Sequence, residues 1–180
     1  ARHCAGARVL DVFSYAGGFG LQAARAGAGE TTCVDASAAA LASVEASAAA
    51  NGLAVATVTG DAFDVLEKMA AERRRFDVVV VDPPAFIKRR KDHGKGLAAY
   101  QRLNRLALQL IDHDGLLMSC SCSSHLAEGE LIEAVQRAAR HVDRFVQLVH
   151  AGGQAPDHPV HPAIPETRYL KALLFSVRHA

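Results

Sequence analysis

Apolar runs along the chain alternate with longer amphipathic or alanine-rich stretches. The clearest run is residues 78–81, four valines in succession. A run without polar alternation is typical of a strand that is buried on both faces of a parallel sheet. Asp82, Pro83 and Pro84 follow directly, and two prolines can continue neither a helix nor a hydrogen-bonded ladder. We therefore expect the Asp82 carboxylate at the carboxyl end of a central strand, where open α/β sheets bind ligands.

The same pattern predicts seven strands and five helices, most of them in alternation. Strands are expected at residues 8–13, 30–34, 54–59, 76–81, 116–121, 145–150 and 169–178, and helices at 21–26, 38–51, 65–75, 100–111 and 126–142. This order predicts an α/β fold: a doubly wound, mostly parallel, seven-stranded Rossmann-like sheet with helices on both faces. The last two strands are joined by a proline-rich loop without a helix, so an antiparallel strand is expected near the C-terminus. Residues 1–180 are expected to form one domain.

A glycine-rich turn, residues 14–20, joins the first predicted strand to the first helix. This geometry lets a ligand approach bare backbone at a helix amino terminus. The glycines of the turn are bunched, so their spacing departs from the GxGxxG pattern that is typical of dinucleotide-binding proteins. Asp35 ends the second strand at a distance that suits a ribose diol, and Asp61 ends the third. Each aspartate is also suited to capping the following helix.

Composition indicates an ordinary globular chain, with 22% charged residues and a net charge of +1. Such a charge is too small for binding nucleic acid by electrostatics alone. The four cysteines lack paired zinc spacing, which favours reduced thiols and a cytoplasmic location. No apolar run is long enough to cross a bilayer, and no metal site is expected because His158 and His161 lack a third ligand.

A basic segment follows the Asp82 region. Lys88, Arg89, Arg90 and Lys91 are expected to begin a flexible loop that extends through the glycine-containing residues 92–98. One interpretation is that these side chains contact the phosphates of a nucleic acid, and the alternative is an ordinary solvated loop. The position beside Asp82 favours phosphate contact.

Together these segments resemble the class I S-adenosylmethionine-dependent methyltransferases. The residues that carry the resemblance are 11–20, Asp35, 60–62, 82–84 and 121–123. More narrowly, the chain resembles the catalytic domain of the RlmI-like 23S ribosomal RNA cytosine-C5 methyltransferases. That likeness rests on residues 13–19, residues 82–86, the cysteine after strand five, and the tail segments 157–159 and 169–171. It covers nearly the whole chain and implies a methyltransferase sheet over residues 1–180.

The resemblance implies S-adenosylmethionine as the cofactor. The glycine turn would cradle its methionine part, Asp35 would hold the ribose hydroxyls, and Asp61 with Ala62 would meet the adenine. The full set of implied cofactor-binding residues is Ser14, Tyr15, Ala16, Gly17, Gly18, Gly20, Asp35, Ala36, Asp61, Ala62 and Asp82.

The resemblance also implies RNA, specifically ribosomal RNA, as the partner. Relatives of this type carry an amino-terminal PUA RNA-binding domain, which this chain lacks. The chain starts at Ala1 without an initiator methionine, so we expect it to be the carboxyl-terminal part of a longer protein. A homodimer is a further expectation.

Cys122 and Asp82 are the predicted catalytic residues. Carbon 5 of cytosine is a poor nucleophile, and addition of a Cys122 thiolate at carbon 6 would activate it. Asp82 would hold the ring at N3, Phe86 would stack on the extruded base, and Cys120 is expected to be a buried structural thiol. The remaining predicted substrate-binding residues are Pro83, Pro84, Lys88, Arg89, Arg90 and Lys91.

Ala85 stands where other RNA cytosine-C5 methyltransferases have a second cysteine. Three alternatives to a cytosine-C5 methyltransferase therefore stay open at this stage. An exocyclic-amine or guanine methyltransferase acting on RNA or DNA would need no cysteine nucleophile. A scaffold module would bind the cofactor without transferring a methyl group. A dinucleotide oxidoreductase is disfavoured by the bunched glycines and by the Pro-Pro segment.

Overall fold

The computed structural model describes residues 3–180, which form one sheet of seven strands with five α-helices packed around it. The strands are β1 (Arg8–Val12), β2 (Glu30–Asp35), β3 (Ala56–Thr59), β4 (Phe76–Val81), β5 (Ile111–Ser121), β6 (Arg144–Gly152) and β7 (Lys171–His179). The helices are α1 (Gly18–Arg25), α2 (Ala38–Ala50), α3 (Ala62–Ala71), α4 (His93–Leu110) and α5 (Glu128–Arg140). The predicted succession of strands and helices is therefore confirmed.

The strand order across the sheet is β3-β2-β1-β4-β5-β7-β6. Strands β1 to β5 run parallel, and β7 lies antiparallel between β5 and β6. The prediction of a mostly parallel sheet with an antiparallel strand near the C-terminus is confirmed. The carboxyl ends of the five parallel strands meet at one edge of the sheet. Because β7 runs the other way, it begins at that edge, where Lys171 pairs with Ser121.

Helices cover both faces of the sheet. Successive residues of a strand point to opposite sides, so neighbouring residues of one strand pack against different helices. Leu10 and Val12 of β1 belong to the main core, which includes residues of α3, α4 and α5. Val9, which points to the other face, packs in a separate cluster with Ala23 of α1. On β2, Cys33 packs with residues of α2. With both faces occupied, the strand ends are the natural place for a ligand.

Residues 92–98 correct one prediction, because they form helix from His93 onward rather than a flexible loop. A short 3₁₀ turn, Arg90–Asp92, leads into this 18-residue helix α4. Gly96 was interpreted as a loop glycine, but in the helix it allows close packing. A Cβ added there would collide with Ile87 Cγ1 and lie 2.8 Å from the Phe86 carbonyl oxygen. Within residues 3–180, no helix is long and apolar enough to cross a membrane.

Most other boundaries differ from the predicted ones by one to four residues, and three early starts are the most relevant. Helix α1 begins at Gly18 and α3 at Ala62, each three residues earlier than predicted. Strand β5 begins at Ile111, five residues early, after an irregularity in its register with β4. The two early helix starts matter for the site, because they place helix amino termini directly against the strand ends.

Candidate cofactor and substrate site

Backbone hydrogen bonds fasten the ends of β1, β2 and β4 to one another. The N–H of Ser14, just after β1, donates to the carbonyl of Val34 at 3.0 Å. The N–H of Asp82, just after β4, donates to the carbonyl of Val12 at 3.2 Å. The glycine turn and the Asp82 segment are therefore held as neighbours at the same edge.

Asp11 is a completely buried carboxylate beneath the glycine turn. Its Oδ2 accepts a hydrogen bond of 2.8 Å from the N–H of Gly20, and its Oδ1 has no partner within the described residues. Burial raises the pKa of Asp11 to about 6, and the nearby charges of Asp82 and Asp35 contribute to the rise. Asp11 begins one of the segments that carry the family resemblance, but it was not among the predicted site residues. Its signal was a single acid inside the apolar run of β1.

The glycine turn holds three residues in left-handed backbone conformations. The φ angles are 62° at Phe13, 47° at Tyr15 and 80° at Gly17. Non-glycine residues rarely adopt such angles, and they concentrate at functional sites where surrounding structure enforces them. The Tyr15 side chain is 74% exposed, so its ring projects away from the protein. The turn thus presents backbone and one aromatic ring to a ligand.

Asp35 and Asp61 lie at the ends of β2 and β3, respectively. Asp35 Oδ2 accepts from the N–H of Tyr15 and Oδ1 from the N–H of Ser37, both at 2.8 Å. Asp61 Oδ1 accepts from two amides at the start of α3, which confirms that Asp61 caps this helix. Ser37, rather than Asp35, caps α2. Since each carboxylate oxygen has two acceptor positions, both residues keep the capacity to bind a ligand.

The segment after β4 is partly sunk into the protein. Asp82 is half-buried, and burial raises its pKa. Pro83 is buried and Pro84 is exposed. Ala85, the position that carries no thiol, is half-buried. The exposed Pro84 and the half-buried carboxylate are therefore the parts of this segment that can reach a substrate.

The ring of Phe86 lies in an aromatic cluster. Its centroid is 4.8 Å from that of Tyr100, 6.1 Å from Phe63 and 6.4 Å from Phe13. Phe86 is half-buried, so part of its surface is available. The cluster joins α3, α4 and the glycine turn and thereby stabilises the walls of the site.

Cys122 lies just beyond β5, on a turn that is anchored at both neighbouring serines. The Oγ of buried Ser121 lies 2.8 Å from the Tyr100 hydroxyl. The Oγ of buried Ser123 donates to the Ile87 carbonyl at 2.6 Å, which ties the turn to the segment after Asp82. Cys122 itself is half-exposed, whereas Cys120 is 3% exposed, so the predicted difference in burial between the two thiols is confirmed.

The four basic residues after Ile87 are all exposed, as predicted. Arg89 pairs with Asp92 at 2.9 Å. Among residues 3–180, Lys88, Arg90 and Lys91 form no ion pair. These three side chains are therefore available for a negatively charged partner.

A cleft of about 570 Å³ lies at the same edge, on the far side of the Cys122 turn. Its walls are the loop after β6 and the start of α5, and they include Glu128, Gln154, His158 and Arg168. Within the described part of the chain, no group of three potential metal ligands occurs. None of the predicted site residues lines this cleft.

The strand ends have the negative charge that the cationic groups of S-adenosylmethionine require. Asp11, Asp35 and Asp82 converge there, and none pairs with a basic side chain among residues 3–180. The cofactor carries an ammonium and a sulfonium charge, which such carboxylates favour. The unpartnered Asp11 Oδ1 and the buried, unpartnered Ser14 Oγ are orphaned polar atoms beside the glycine turn. These residues therefore fit the cofactor.

The sequence matches a known protein family over residues 1–128, and the description of that family is "Conserved hypothetical protein 95". The chain belongs to this family. The matched residues include β1 to β5, the glycine turn, the Asp82 segment and Cys122. The match thus covers every strand end that forms the carboxylate site.

The curated relatives of the chain are named as ribosomal RNA methyltransferases. "Ribosomal RNA large subunit methyltransferase I" of Photobacterium profundum is 38% identical over 96% of the chain and 44% of its own length. The protein of the same name from Shewanella denitrificans is 40% identical over 98% of the chain and 45% of its own length. The chain therefore spans less than half the length of these relatives.

Solved structures share the fold of this Conserved hypothetical protein 95 member. The methyltransferase SMU.776, crystallised with SAH, superposes with a TM-score of 0.84 at 24% identity, over 96% of this chain and 46% of that one. TrmN from Thermus thermophilus superposes with a TM-score of 0.68 at 21% identity, over 98% and 45%. Fold, family and relatives together place the chain among the class I S-adenosylmethionine-dependent methyltransferases.

Proposed function

We propose that this chain is the catalytic domain of an enzyme that transfers a methyl group from S-adenosylmethionine to carbon 5 of a cytosine in large-subunit ribosomal RNA. The names of the curated relatives support the RNA substrate, and the SAH bound to SMU.776 supports the cofactor. The observation that carries the proposal is the half-exposed Cys122 thiol on a turn bonded, through Ser123, to the segment that follows Asp82.

The strand ends would hold the cofactor by their carboxylates and bare backbone. Asp11 and the glycine turn would receive the cationic methionine part, because Asp11 Oδ1 is an unpartnered acceptor there. Asp35 would accept from the ribose hydroxyls, and Asp61 with Ala62 would contact the adenine. When bound, S-adenosylmethionine supplies an electrophilic methyl group on its sulfonium.

Cys122 would act as the nucleophile. Its thiolate forms a bond to carbon 6 of the cytosine, which makes carbon 5 nucleophilic enough to take the methyl group. A base then removes the proton from carbon 5, and the bond between sulfur and carbon 6 breaks to release the thiolate. Burial raises the pKa of Asp82. When it is protonated, Asp82 can donate a hydrogen bond to N3 of the ring.

The base has to leave its stack to reach Cys122. Pro84 and Phe86 would form the wall against which the base lies, whereas the predicted contact by Pro83 does not fit the structure because Pro83 is buried. The exposed side chains of Lys88, Arg89, Arg90 and Lys91 would bind the flanking phosphates. This division of contacts assigns chemistry to the strand ends and RNA affinity to the basic segment.

A methylation assay with the full-length protein tests the proposal. Protein-free large-subunit ribosomal RNA is incubated with S-adenosylmethionine, and its nucleosides are identified by mass spectrometry. We expect 5-methylcytidine from the native protein and none from Cys122→Ala. Calorimetric titration should give the same S-adenosylmethionine affinity for both proteins.

Cys120→Ala is the matched control, because Cys120 lies on the same strand but is buried. This variant should still form 5-methylcytidine. Methylation at the native rate by Cys122→Ala would refute covalent catalysis by this cysteine. A methyl group on an exocyclic amine or on guanine would favour a methyltransferase without a cysteine nucleophile. That alternative is open because position 85 is alanine instead of a second cysteine.

Three further expectations stay predictions: the amino-terminal RNA-binding domain, the homodimer and the cytoplasmic location. An RNA-binding domain in the whole protein would supply affinity that a chain with a net charge of +1 lacks. The assay therefore uses the full-length protein.

A further inference from the structure

Lys171 is a buried lysine that the proposed chemistry does not use. It is 7% exposed, and it forms no ion pair with any described carboxylate. Burying an ammonium group is costly unless other groups compensate for the lost hydration. A lysine at the first position of β7, at the edge that carries the candidate site, therefore requires a local explanation.

The ammonium group of Lys171 holds the turn that carries Cys122. It donates to the carbonyl of Ser123 at 2.6 Å and to the carbonyl of Leu126 at 2.7 Å. Both carbonyls lie between Cys122 and the start of α5, so one side chain spans the whole turn. Hydrogen bonds from a charged donor are stronger than those between neutral groups.

The bonds of the two flanking serines complete this arrangement. Ser121 lies next to the Tyr100 hydroxyl, and Ser123 donates to the Ile87 carbonyl. Strand β7, helix α4 and the segment after β4 therefore each bind the turn at a different point. Between these anchored positions, Cys122 is partly accessible.

Lys171 and Cys122 also interact electrostatically. Burial lowers the pKa of Lys171. Negative charge at Cys122 opposes this effect most strongly, and the charges of Glu128 and Glu130 oppose it less. The other titratable groups near the turn include Tyr100, Asp82 and the exposed His125. Glu128 is exposed, and Glu130 is bound to His93 at 2.9 Å.

We propose that Lys171 is the positioning residue for Cys122, because its two hydrogen bonds fix the turn that presents the thiol. This inference rests on the proposed role of Cys122 as a nucleophile. It assigns Lys171 no contact with the RNA or the cofactor.

Alkylation of Cys122 by iodoacetamide tests the inference without RNA and without methyl transfer. The reaction is followed by peptide mass spectrometry, which separates Cys122 from the three buried cysteines. In Lys171→Met, the alkylation rate should fall several-fold, because the turn that presents the thiol loses the bonds to two of its carbonyls. Lys171→Arg, which keeps a charged donor for these carbonyls, should recover most of the native rate. Loss of packing alone would not be reversed by the larger arginine side chain.

Lys68→Met is the matched control, because the Lys68 side chain is 77% exposed on α3. Its alkylation profile should equal the native one. If Lys171→Met does not fold, Lys171→Gln serves instead, since its amide can still donate to one carbonyl. A native alkylation profile in a folded Lys171→Met or Lys171→Gln protein would overturn the inference.

The methylation assay separates this result from the proposed function. In Lys171→Met, kcat should fall by about the same factor as the alkylation rate, while KM for RNA and the cofactor affinity stay near native values. Slower alkylation together with full methylation by Cys122→Ala would refute the cysteine mechanism and leave the Lys171–Cys122 interaction standing.

Discussion

The N–H of Gly20 donates a hydrogen bond of 2.8 Å to the buried carboxylate of Asp11. This bond connects the first turn of α1 to the middle of β1, beneath the glycine turn. It leaves the other Asp11 oxygen without a partner among the described residues. The arrangement is costly for the chain alone, and a cation bound at the strand ends would offset that cost. The glycine and the carboxylate therefore act as one unit of the candidate cofactor site.

Gly20→Ala should destabilise the protein and weaken cofactor binding. An added Cβ would collide with Cys33 Sγ and lie 3.2 Å from Asp11 Oδ2, so the turn must shift. Overpacking of this kind costs roughly 1–3 kcal/mol of unfolding free energy, which urea unfolding measures. Gly129→Ala is the control, because nothing lies within 4 Å of its added Cβ on α5. Equal stabilities for the two variants would contradict the close packing at Gly20.

Asp11→Asn should change how stability depends on pH. An acid whose pKa is raised on folding contributes stability that is complete below its unfolded pKa of 3.8 and is lost as pH rises through its folded pKa of about 6. Asparagine carries no charge at any pH. The unfolding free energy of the variant should therefore rise relative to the native protein by up to about 3 kcal/mol between pH 4 and pH 7, without cofactor.

Urea unfolding at several pH values measures this difference. Asp157→Asn, an exposed substitution, is the comparison and should show no such trend. A constant difference between Asp11→Asn and the native protein across this range would mean that Asp11 is not strained by its burial. The same variant should bind S-adenosylmethionine more weakly at pH 7.

Arg8→Met should lower stability without affecting the cofactor, because Arg8 lies at the opposite edge of the sheet. Its guanidinium bonds Asp77 at 2.7 Å and Asp112 at 2.6 Å, and these bonds lower the pKa of both carboxyls. The side chains are partly exposed, so we expect a loss of about 1 kcal/mol at pH 7. That loss should shrink as pH falls below about 4, because protonated carboxyls no longer bind the guanidinium. An unchanged loss at pH 3 would contradict the ion pairs.

Ser123→Ala should reduce methyl transfer more than it reduces cofactor binding. The substitution removes the 2.6 Å bond to the Ile87 carbonyl, which joins the Cys122 turn to the segment after Asp82. The lost hydrogen bond should cost about 1 kcal/mol of unfolding free energy. Ser124→Ala, at the exposed neighbouring position, should leave both kcat and stability near native values. A similar fall in kcat for both variants would argue against a specific role for the Ser123 bond.

The local pattern of the chain was sufficient for the architecture. Four consecutive valines in β4 and the repeated alternation of apolar runs with helical stretches specify a parallel sheet, because only burial on both faces accommodates such strands. The prolines after Asp82 marked the end of β4, and the missing helix before β7 marked where the parallel order ends. The carboxyl-edge location of Asp35, Asp61 and Asp82 followed from the same pattern.

Only the tertiary structure decided which of these residues depend on one another. Gly96 resembled a loop glycine, yet it lies in helix α4, where the Phe86 backbone from another segment packs against it. The strain on Asp11 depends on Gly20, Asp35 and Asp82, and Lys171 reaches the Cys122 turn from a strand 48 residues further along the chain. Spacing along a sequence specifies periodic burial, but contacts between distant segments arise only when the sheet brings their ends together.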